Sequence, residues 1–236
     1  MTTAERVVFL LDVDDTLLDN DTAQNDYLDH IARHVGPHAA QRYWTICRGL
    51  YEVLGYADYL GALQLYRLEH RHDPRLHLLS SYLLDYPFAD RLYPRALDVL
   101  RYLQRLGQTV ILTDGDAVLQ PRKIERSGLA AEVEGRVLVC AHKERELEYV
   151  GRLYPADHYV LVDDKLRVLS AVKKVWGSRV TTVQTLQGHY ALDPEAQAAY
   201  PPADITVGHV GNLLDYGPRE LTGVPQTNRE VMNARG

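Results

Sequence analysis

The feature that most constrains the fold is an alternation of short apolar segments with segments of helical periodicity, which runs from Tyr93 to Val207. The apolar segments are rich in β-branched and aliphatic residues without polar alternation, as is typical of strands buried on both faces. The predicted strands are residues 6–12, 109–112, 136–140, 158–162, 180–183 and 205–207, and the predicted helices are residues 94–106, 118–127, 143–153 and 166–176. Strands that alternate with helices predict an α/β fold with a parallel sheet and right-handed crossovers.

A segment from about Asp21 to Tyr86 interrupts this alternation, because it contains no convincing strand. Its apolar residues recur at helical spacing, as in Tyr27, Ile31 and Val35. Gly-Pro and Asp-Pro pairs and a further glycine divide the segment into about four helices. We therefore predict an α/β core made of residues 1–18 and 90–222, an inserted helical module of residues 19–89, and a loose polar tail of residues 223–236.

Composition, charge and the short apolar segments limit the kinds of partner and the cellular location that are expected for the protein. The chain has 236 residues with 46% hydrophobic and 25% charged residues, a net charge of −6 and no basic block. This balance argues against a nucleic-acid-binding surface, although nucleotides stay possible as substrates. The apolar run Val7–Leu11 is too short to span a membrane or to serve as a signal peptide, and the two cysteines match no metal-binding spacing. We expect a cytoplasmic protein without membrane association, whose oligomeric state the sequence leaves open.

Polar residues cluster where the predicted strands end. The segments that follow the first four strands are Asp12–Thr16, Thr113–Asp116, His142–Lys143 and Asp163–Lys165. In an open parallel sheet, ligands bind outside the carboxyl ends of the strands, so these side chains are expected to meet at one edge. Asp and Thr are also ordinary helix caps, but their occurrence after four strands favours a functional site over capping alone.

Two acidic pairs predict a metal site at this edge. Asp12 and Asp14 are two residues apart in an extended segment, so both carboxylates face the same side. Asp163 and Asp164 supply a second pair. Crowded carboxylates need a cation, and oxygen ligands of this kind suit Mg²⁺ together with the oxygens of a bound phosphate.

The remaining residues at this edge are suited to binding an anion. Thr113 offers a hydroxyl, the turn of Asp114 and Gly115 offers a backbone N–H, and Lys143 offers a positive charge. Donors and an ammonium group around a carboxylate nucleophile form a site for a phosphoryl group.

These residues resemble the four motifs of the haloacid dehalogenase-like (HAD) hydrolase superfamily. Residues 9–17 resemble its first motif, DxDxT after an apolar strand, and residues 110–113 its second, an apolar strand that ends in Ser or Thr. Lys143 matches the lysine of the third motif, and residues 160–164 match the double-aspartate form of the fourth. The four motifs occur in the family's order, and the helical module lies between the first two, where members with a helical cap carry it.

The resemblance implies a Rossmann-like core, a mobile cap and a Mg²⁺-dependent phosphohydrolase that acts on a small phosphorylated molecule. Asp12 would attack phosphorus to form an aspartyl-phosphate, and Asp14 would protonate the leaving oxygen and then activate water. Thr113 and Lys143 would hold the phosphoryl group. Mg²⁺ would be bound by Asp12, the backbone carbonyl of Asp14 and Asp164, with Asp163 bound directly or through water.

Several side chains admit a second interpretation. Lys143 is preferred to Lys123 as the site lysine, because Lys123 lies on the helix after the second strand, where a solvated surface lysine is usual. His142 and His189 are more simply surface or core histidines than catalytic groups. The tyrosines and the tryptophan of the module are expected to be mostly core, while Arg48 or Tyr51 could face the site.

Two other functions compete with the phosphatase. A 2-haloacid dehalogenase of the same superfamily uses the aspartate nucleophile without metal and usually lacks an acid two residues later, so Asp14 and the acidic pair argue against it. A non-catalytic binding protein on the same fold would commonly have lost a motif residue, and none is missing here.

Overall fold

The protein, described by a computed structural model over residues 6–222, contains one parallel sheet. The strand order is β3-β2-β1-β4-β5-β6, and every neighbouring pair is parallel. The strands are β1 (Val7–Leu11), β2 (Gln108–Asp114), β3 (Val137–Cys140), β4 (His158–Asp163), β5 (Val180–Thr185) and β6 (Ile205–Val207). The predicted α/β class and parallel sheet are confirmed, and the predicted tail of residues 223–236 lies outside the described residues.

The central strand β1 shows why the apolar segments carry no polar alternation. Successive side chains of a strand point to opposite faces of the sheet. Phe9 and Leu11 are buried in one hydrophobic cluster, and Val8 and Leu10 are buried in the other. Both faces of β1 are therefore covered, as expected for a strand between helical layers.

Helices of the core cover both faces of the sheet. They are α5 (Ala96–Gln104), α6 (Leu119–Arg126), α7 (Leu129–Glu132), α8 (Leu147–Leu153), α9 (Leu166–Trp176), α10 (Gly188–Leu192), α11 (Pro194–Ala199) and α12 (Pro218–Thr222). The sequence does not predict α7 or the last three of these helices, because helices of four to six residues are too short to show periodicity. The helix predicted over residues 143–153 is instead a 3₁₀ turn at Lys143–Arg145 followed by α8. Within residues 6–222, no helix has the length and apolarity required to cross a bilayer.

The inserted segment, residues 19–89, folds into the four α-helices that its periodicity predicts. They are α1 (Asn20–His34), α2 (Pro37–Leu54), α3 (Tyr59–Glu69) and α4 (Leu76–Asp85). Asp19 caps α1 by accepting a hydrogen bond from the Thr22 backbone N–H at 2.9 Å. Gly55 ends α2 with a φ of 78°, a left-handed conformation that glycine adopts without strain.

The chain enters and leaves the helical module through two adjacent segments. The Asp19 N–H donates to the Arg91 carbonyl at 2.8 Å, and the Tyr93 N–H donates to the Leu17 carbonyl at 2.9 Å. Leu18 and Leu92 face each other in an antiparallel bridge between these segments. The two crossings are thus joined side by side by backbone hydrogen bonds.

Candidate active site

The predicted site residues lie together at the carboxyl edge of the sheet. Asp12 follows β1, Thr113 and Asp114 end β2, and Asp163 ends β4. Lys143 begins the 3₁₀ turn that follows β3. Because neighbouring strands run parallel, the polar end of each one reaches the same edge.

The ammonium group of Lys143 joins two of these strands. Its Nζ lies 2.6 Å from Asp12 Oδ1 and 2.6 Å from Asp163 Oδ2, and all three side chains are buried. Burial alone would lower the pKa of Lys143, but the carboxylates of Asp12 and Asp163 raise it well above its ordinary value. Burial likewise opposes ionisation of Asp12, yet the ammonium groups of Lys143 and Lys165 hold the pKa of Asp12 below its ordinary value. These contacts favour the ionised form of Asp12, the form in which a carboxylate can act as a nucleophile.

Three carboxylates form a cluster that fits a metal ion. One oxygen each from Asp12, Asp163 and Asp164 lie within 4.8 Å of one another. Both oxygens of Asp164 are buried, and neither accepts a hydrogen bond from any residue in the described range. Burial raises the pKa of Asp164 well above its ordinary value, because no contact offsets its desolvation fully. An unpartnered buried carboxylate beside two others is the donor set that a hard divalent cation requires.

Asp14 lies apart from this cluster and is bound by a lysine that the sequence analysis assigned to the surface. Asp14 Oδ1 lies 2.6 Å from Lys123 Nζ, and the Lys123 side chain is only 2% exposed. The prediction that Lys123 is a solvated surface lysine is therefore wrong. The signal for burial was present, since Lys123 is spaced four residues from the buried Leu119 and from the buried Ser127 on one helical face.

Strand β2 and the turn that follows it provide only part of the predicted anion-binding site. Thr113 is buried, and its hydroxyl accepts a hydrogen bond from Gln120 Nε2 at 3.0 Å. The Gly115 N–H donates to the Cys140 carbonyl at 3.0 Å, so the prediction of a free N–H at Gly115 is wrong. That glycine is needed for packing, because a Cβ there would lie 2.7 Å from Gln120 Cβ.

Asp114 acts through the backbone of the site lysine. Its Oδ1 accepts a hydrogen bond from the Lys143 N–H at 2.7 Å, which fixes the start of the 3₁₀ turn. Burial raises the pKa of Asp114 to about 6. The neighbouring Asp116 lies in the turn before α6, where its side chain accepts hydrogen bonds from the backbone N–H groups of Val118 and Leu119. Both aspartates are thus turn residues, with Asp114 placed to support Lys143.

A cavity of about 570 Å³ opens between the sheet edge and the helical module. From the core it is lined by Asp14, Asp15, Asp114, Lys165, Arg167, His189 and Tyr190, and from the module chiefly by Trp44, Arg48, Tyr51, Tyr56 and Tyr59. Arg48 and Tyr51, between which the sequence could not choose, both line it. Trp44 was expected in the core but lines the cavity as well, whereas Tyr27, Tyr43 and Tyr66 are buried in the core as predicted.

Lys165 lies between the acidic cluster and this cavity, and its role is not evident from the sequence. Its Nζ is 4.8 Å from the centre of the Tyr190 ring. Burial would lower the pKa of Lys165, but the carboxylates of Asp164, Asp12 and Asp163 raise it well above its ordinary value. The permanent positive charge of Lys165 therefore faces the space where an anionic ligand would lie.

Two contacts join the helical module to the core across the cavity. The Tyr51 and Tyr190 rings stack with centroids 6.2 Å apart. His189 Nδ1 lies 2.6 Å from Asp21 Oδ1, and the His189 backbone N–H donates to Asp21 Oδ2 at 2.8 Å. His142 of the core likewise packs against Gly55 of the module, where an added Cβ would lie 2.5 Å from the imidazole. His189 is thus a contact between module and core rather than a simple surface residue.

Sequence and structural comparisons place the chain in a family. A family model of the haloacid dehalogenase-like hydrolases matches residues 7–175. A protein assigned to the haloacid dehalogenase-like hydrolases in Burkholderia xenovorans LB400 is 57% identical, with 91% of this chain and 100% of that chain covered and a TM-score of 0.87. The chain therefore belongs to the haloacid dehalogenase-like hydrolases. No curated protein matches it in sequence.

More distant solved structures share the fold. L-2-haloacid dehalogenase from Xanthobacter autotrophicus is 16% identical, with 90% of this chain and 96% of that chain covered and a TM-score of 0.60. The HAD-hydrolase YfnB from Bacillus subtilis, solved with bound magnesium, is 17% identical, with 90% and 98% covered and a TM-score of 0.59. At these identities the likeness shows a common architecture and leaves the reaction open.

The contact between His189 and Asp21 predicts a pH-dependent contribution to stability. Its hydrogen bond with Asp21 raises the pKa of His189 above its ordinary value of 6.5. Between the unfolded and the folded pKa the folded protein binds more protons, so this contribution is complete below about pH 6.5 and is lost as the pH rises through the folded pKa. Because His189 is 55% exposed, we expect His189→Gln to lower the free energy of unfolding by about 0.5–1 kcal/mol at pH 6, with a smaller loss at pH 9.

Urea denaturation of both proteins at the two pH values measures this difference. Asp21→Asn is the matched control, because it removes the other partner of the contact. In a protein that already carries Asp21→Asn, adding His189→Gln should not lower the free energy of unfolding further at pH 6. An equal loss at pH 6 and pH 9 would show that the contact acts through packing alone.

Proposed function

We propose that the protein is a Mg²⁺-dependent phosphohydrolase that acts on a small phosphoester through an aspartyl-phosphate on Asp12. The observation that carries this proposal is the buried cluster of Asp12, Asp163 and Asp164, in which both oxygens of Asp164 lack a partner among residues 6–222. A carboxylate in that state fits a bound cation, and a substrate phosphate supplies the further oxygen ligands that Mg²⁺ takes.

The metal would be held by Asp12, the backbone carbonyl of Asp14 and Asp164, with Asp163 bound directly or through water. When bound, Mg²⁺ would offset the negative charge of the carboxylates and of the phosphoryl oxygens. Lys143 already contacts Asp12 and Asp163, so it keeps these carboxylates in place and adds a positive charge beside the phosphoryl group.

In the first step a carboxylate oxygen of Asp12 attacks phosphorus. The bond from phosphorus to the ester oxygen breaks, and that oxygen takes a proton from Asp14. In the second step Asp14 removes a proton from water, the water oxygen attacks phosphorus, and the bond to Asp12 breaks to release phosphate. Asp12 Oδ1 is held by Lys143 at 2.6 Å, whereas Oδ2 accepts a longer hydrogen bond of 3.5 Å from the Thr16 hydroxyl.

The Thr113 hydroxyl is proposed to bind a phosphoryl oxygen, with Gln120 holding its orientation through the 3.0 Å hydrogen bond. Asp114 supports the site by fixing the Lys143 backbone. The other member of the predicted anion site, Gly115, takes no part through its own N–H, since that group is bonded to Cys140.

The cavity supports a small-molecule substrate. Its volume of about 570 Å³ lies within the range of roughly 300–1,000 Å³ that small-ligand pockets occupy. Trp44, Arg48, Tyr51 and Tyr190 would contact the part of the substrate beyond the phosphoryl group. A module that closes over this space would exclude macromolecular substrates.

A metal-independent 2-haloacid dehalogenase is the competing function. It needs the nucleophile but neither the second acid at Asp14 nor a cation for Asp164, so both features favour the phosphatase. A binding protein without activity would have no need for an ionised Asp12 held by a buried lysine. Phosphate release from a phosphate ester and chloride release from chloroacetate separate the three.

We predict that hydrolysis of p-nitrophenyl phosphate requires Mg²⁺ and is abolished by EDTA. Asp164→Asn should raise the Mg²⁺ concentration that gives half-maximal activity by at least about tenfold, because it removes one metal-binding charge. Isothermal titration with Mg²⁺ should show the same weakening without any substrate. Asp98→Asn, which changes an exposed carboxylate 3.4 Å from Arg101, should leave both values unchanged. Equal rates with and without EDTA would contradict the proposal.

The two leading carboxylates should have separable roles. Asp12→Asn should reduce turnover to background and form no phosphoenzyme, because the nucleophile is lost while the shape is kept. Asp14→Asn should be impaired about 10²–10⁴-fold with esters of poor leaving groups, since general acid–base assistance is worth that much. It should still label Asp12 from an activated ester, and mass spectrometry should find a persistent phosphorylated Asp12. An adduct on Asp14 or Asp163 would overturn the assignment.

Substrate entry is expected to require movement of the helical module about its two crossings, residues 19–22 and 87–94. The stacked Tyr51 and Tyr190 rings and the contact between Asp21 and His189 lie across the cavity and must separate when it opens. Crystals grown with and without vanadate should therefore differ in the orientation of the module relative to the core, with each part unchanged internally. If the two structures superpose as one rigid body, the module does not act as a hinged cap.

A further inference from the structure

Lys123 is a buried cation that the steps described above do not use. Its side chain is 2% exposed, and its Nζ lies 2.6 Å from Asp14 Oδ1 and 2.8 Å from Asn20 Oδ1. The Phe88 ring lies beside it, with its centre 5.9 Å from Nζ. Burial of an ammonium group is costly unless its partners are well placed, so the position of Lys123 is tied closely to these groups.

The helix that carries Lys123 is fixed against the helical module. From α6, Arg122 Nε donates to the Leu84 carbonyl at 2.8 Å, and Arg126 Nη2 donates to the Asp85 carbonyl at 2.9 Å. Lys123 itself touches both crossings between core and module, since Asn20 lies at the first and Phe88 at the second. The ammonium is therefore positioned from three independent parts of the chain.

The contact with Asp14 distinguishes the two oxygens of that carboxylate. Lys123 donates to Oδ1, which leaves Oδ2 as the oxygen that can carry a proton or meet the leaving group. Asp14 also lines the cavity, and its side chain is 18% exposed. A carboxyl group that is already held in this orientation does not need to reorient during the reaction.

We propose that Lys123 is a positioning residue that fixes the Asp14 carboxylate with Oδ2 directed at the leaving-group oxygen. The inference rests on the proposed phosphohydrolase function, in which Asp14 is the general acid and base. In the first step the proton on Asp14 Oδ2 passes to the departing ester oxygen as its bond to phosphorus breaks. In the second step Oδ2 takes a proton from water, and Lys123 transfers no proton in either step.

A chain of hydrogen bonds connects this arrangement to the module. Asn20 accepts from Lys123, and its Nδ2 donates to the Tyr59 hydroxyl at 3.3 Å. The Tyr59 hydroxyl donates in turn to Gln24 Oε1 at 3.1 Å. Asn20 and Gln24 belong to α1, and Tyr59 begins α3. The orientation of the Asp14 carboxylate is thus linked to the positions of α1 and α3 in the module.

The test is the dependence of Lys123→Met on the leaving group. The rate of phosphorylation of Asp12 is measured by rapid quench with two esters, p-nitrophenyl phosphate and glycerol 2-phosphate. A residue that positions the general acid matters only when the leaving oxygen needs a proton. We expect the variant to lose about 10²-fold or more with the alkyl ester and less than about tenfold with the aryl ester. Asp14→Asn should show the same split.

Lys173→Met is the matched control, since Lys173 Nζ lies 2.7 Å from Asp204 Oδ2 at a distance from the site. It removes a Lys–Asp pair of similar length and should leave both rates unchanged. Asn20→Ala keeps Lys123 and its contact with Asp14, removes the Asn20 contacts with Lys123 and Tyr59, and should give a smaller loss with the same preference for the alkyl ester. This second variant keeps the test informative if Lys123→Met does not fold.

Equal losses with both esters in Lys123→Met and Asn20→Ala would overturn the inference, because they would mark a purely structural contact. Unchanged hydrolysis of the alkyl ester would overturn it as well. The proposed function fails in a different way: the unaltered protein would release no phosphate from either ester, or Asp14→Asn would lose the two activities equally. The two failures are therefore distinguishable.

Discussion

The structure depends on the placement of one buried ammonium group, that of Lys143, between the ends of β1 and β4. Two carboxylates that lie as close as those of Asp12 and Asp163 would repel each other strongly in a site without solvent. The Lys143 side chain allows both strands to end in buried acids at the same edge. The Asp114 carboxylate, which holds the Lys143 backbone N–H, brings β2 into the same arrangement.

That arrangement leaves the negative charge only partly compensated. Lys143 contacts Asp12 and Asp163, whereas Asp164 receives no hydrogen bond from the described chain and Lys165 lies toward the cavity. An apolar isostere at Asp164 would avoid the cost of burying an unpaired carboxylate. A bound cation would offset this cost, and the proposed phosphatase function rests on the same observation.

The fold was largely predictable because its strands are buried on both faces. Continuous apolar segments such as Val7–Leu11 can be recognised without knowledge of their neighbours, and the residues that follow them are then assigned to one edge. The burial of Lys123 was not predicted, for the opposite reason. Its burial depends on Asn20 and Phe88, which are distant in sequence, and only its four-residue spacing from Leu119 hinted at it.

The N–H of Gly115 shows a second limit, because a sequence does not reveal which acceptor a backbone donor will meet in the fold. Here the acceptor is the Cys140 carbonyl on the neighbouring strand. The residues that line the cavity from the module could not be selected either, since a helix such as α2 has several faces of mixed character. Which face meets the core depends on how the module docks.

The hydrogen bonds between residues 17–19 and residues 91–93, beside the two crossings, have a consequence for how chains of this kind diversify. The chain leaves the core and returns to it through neighbouring segments that are joined by hydrogen bonds. For the geometry of the sheet, the whole module is therefore equivalent to a short hairpin loop. An insertion of this kind adds little closure entropy to the core, because that cost grows only slowly with loop length. The module can therefore be lengthened, shortened or exchanged for another fold while β1 and β2 keep their register, so that the surface facing the substrate evolves separately from the carboxylates.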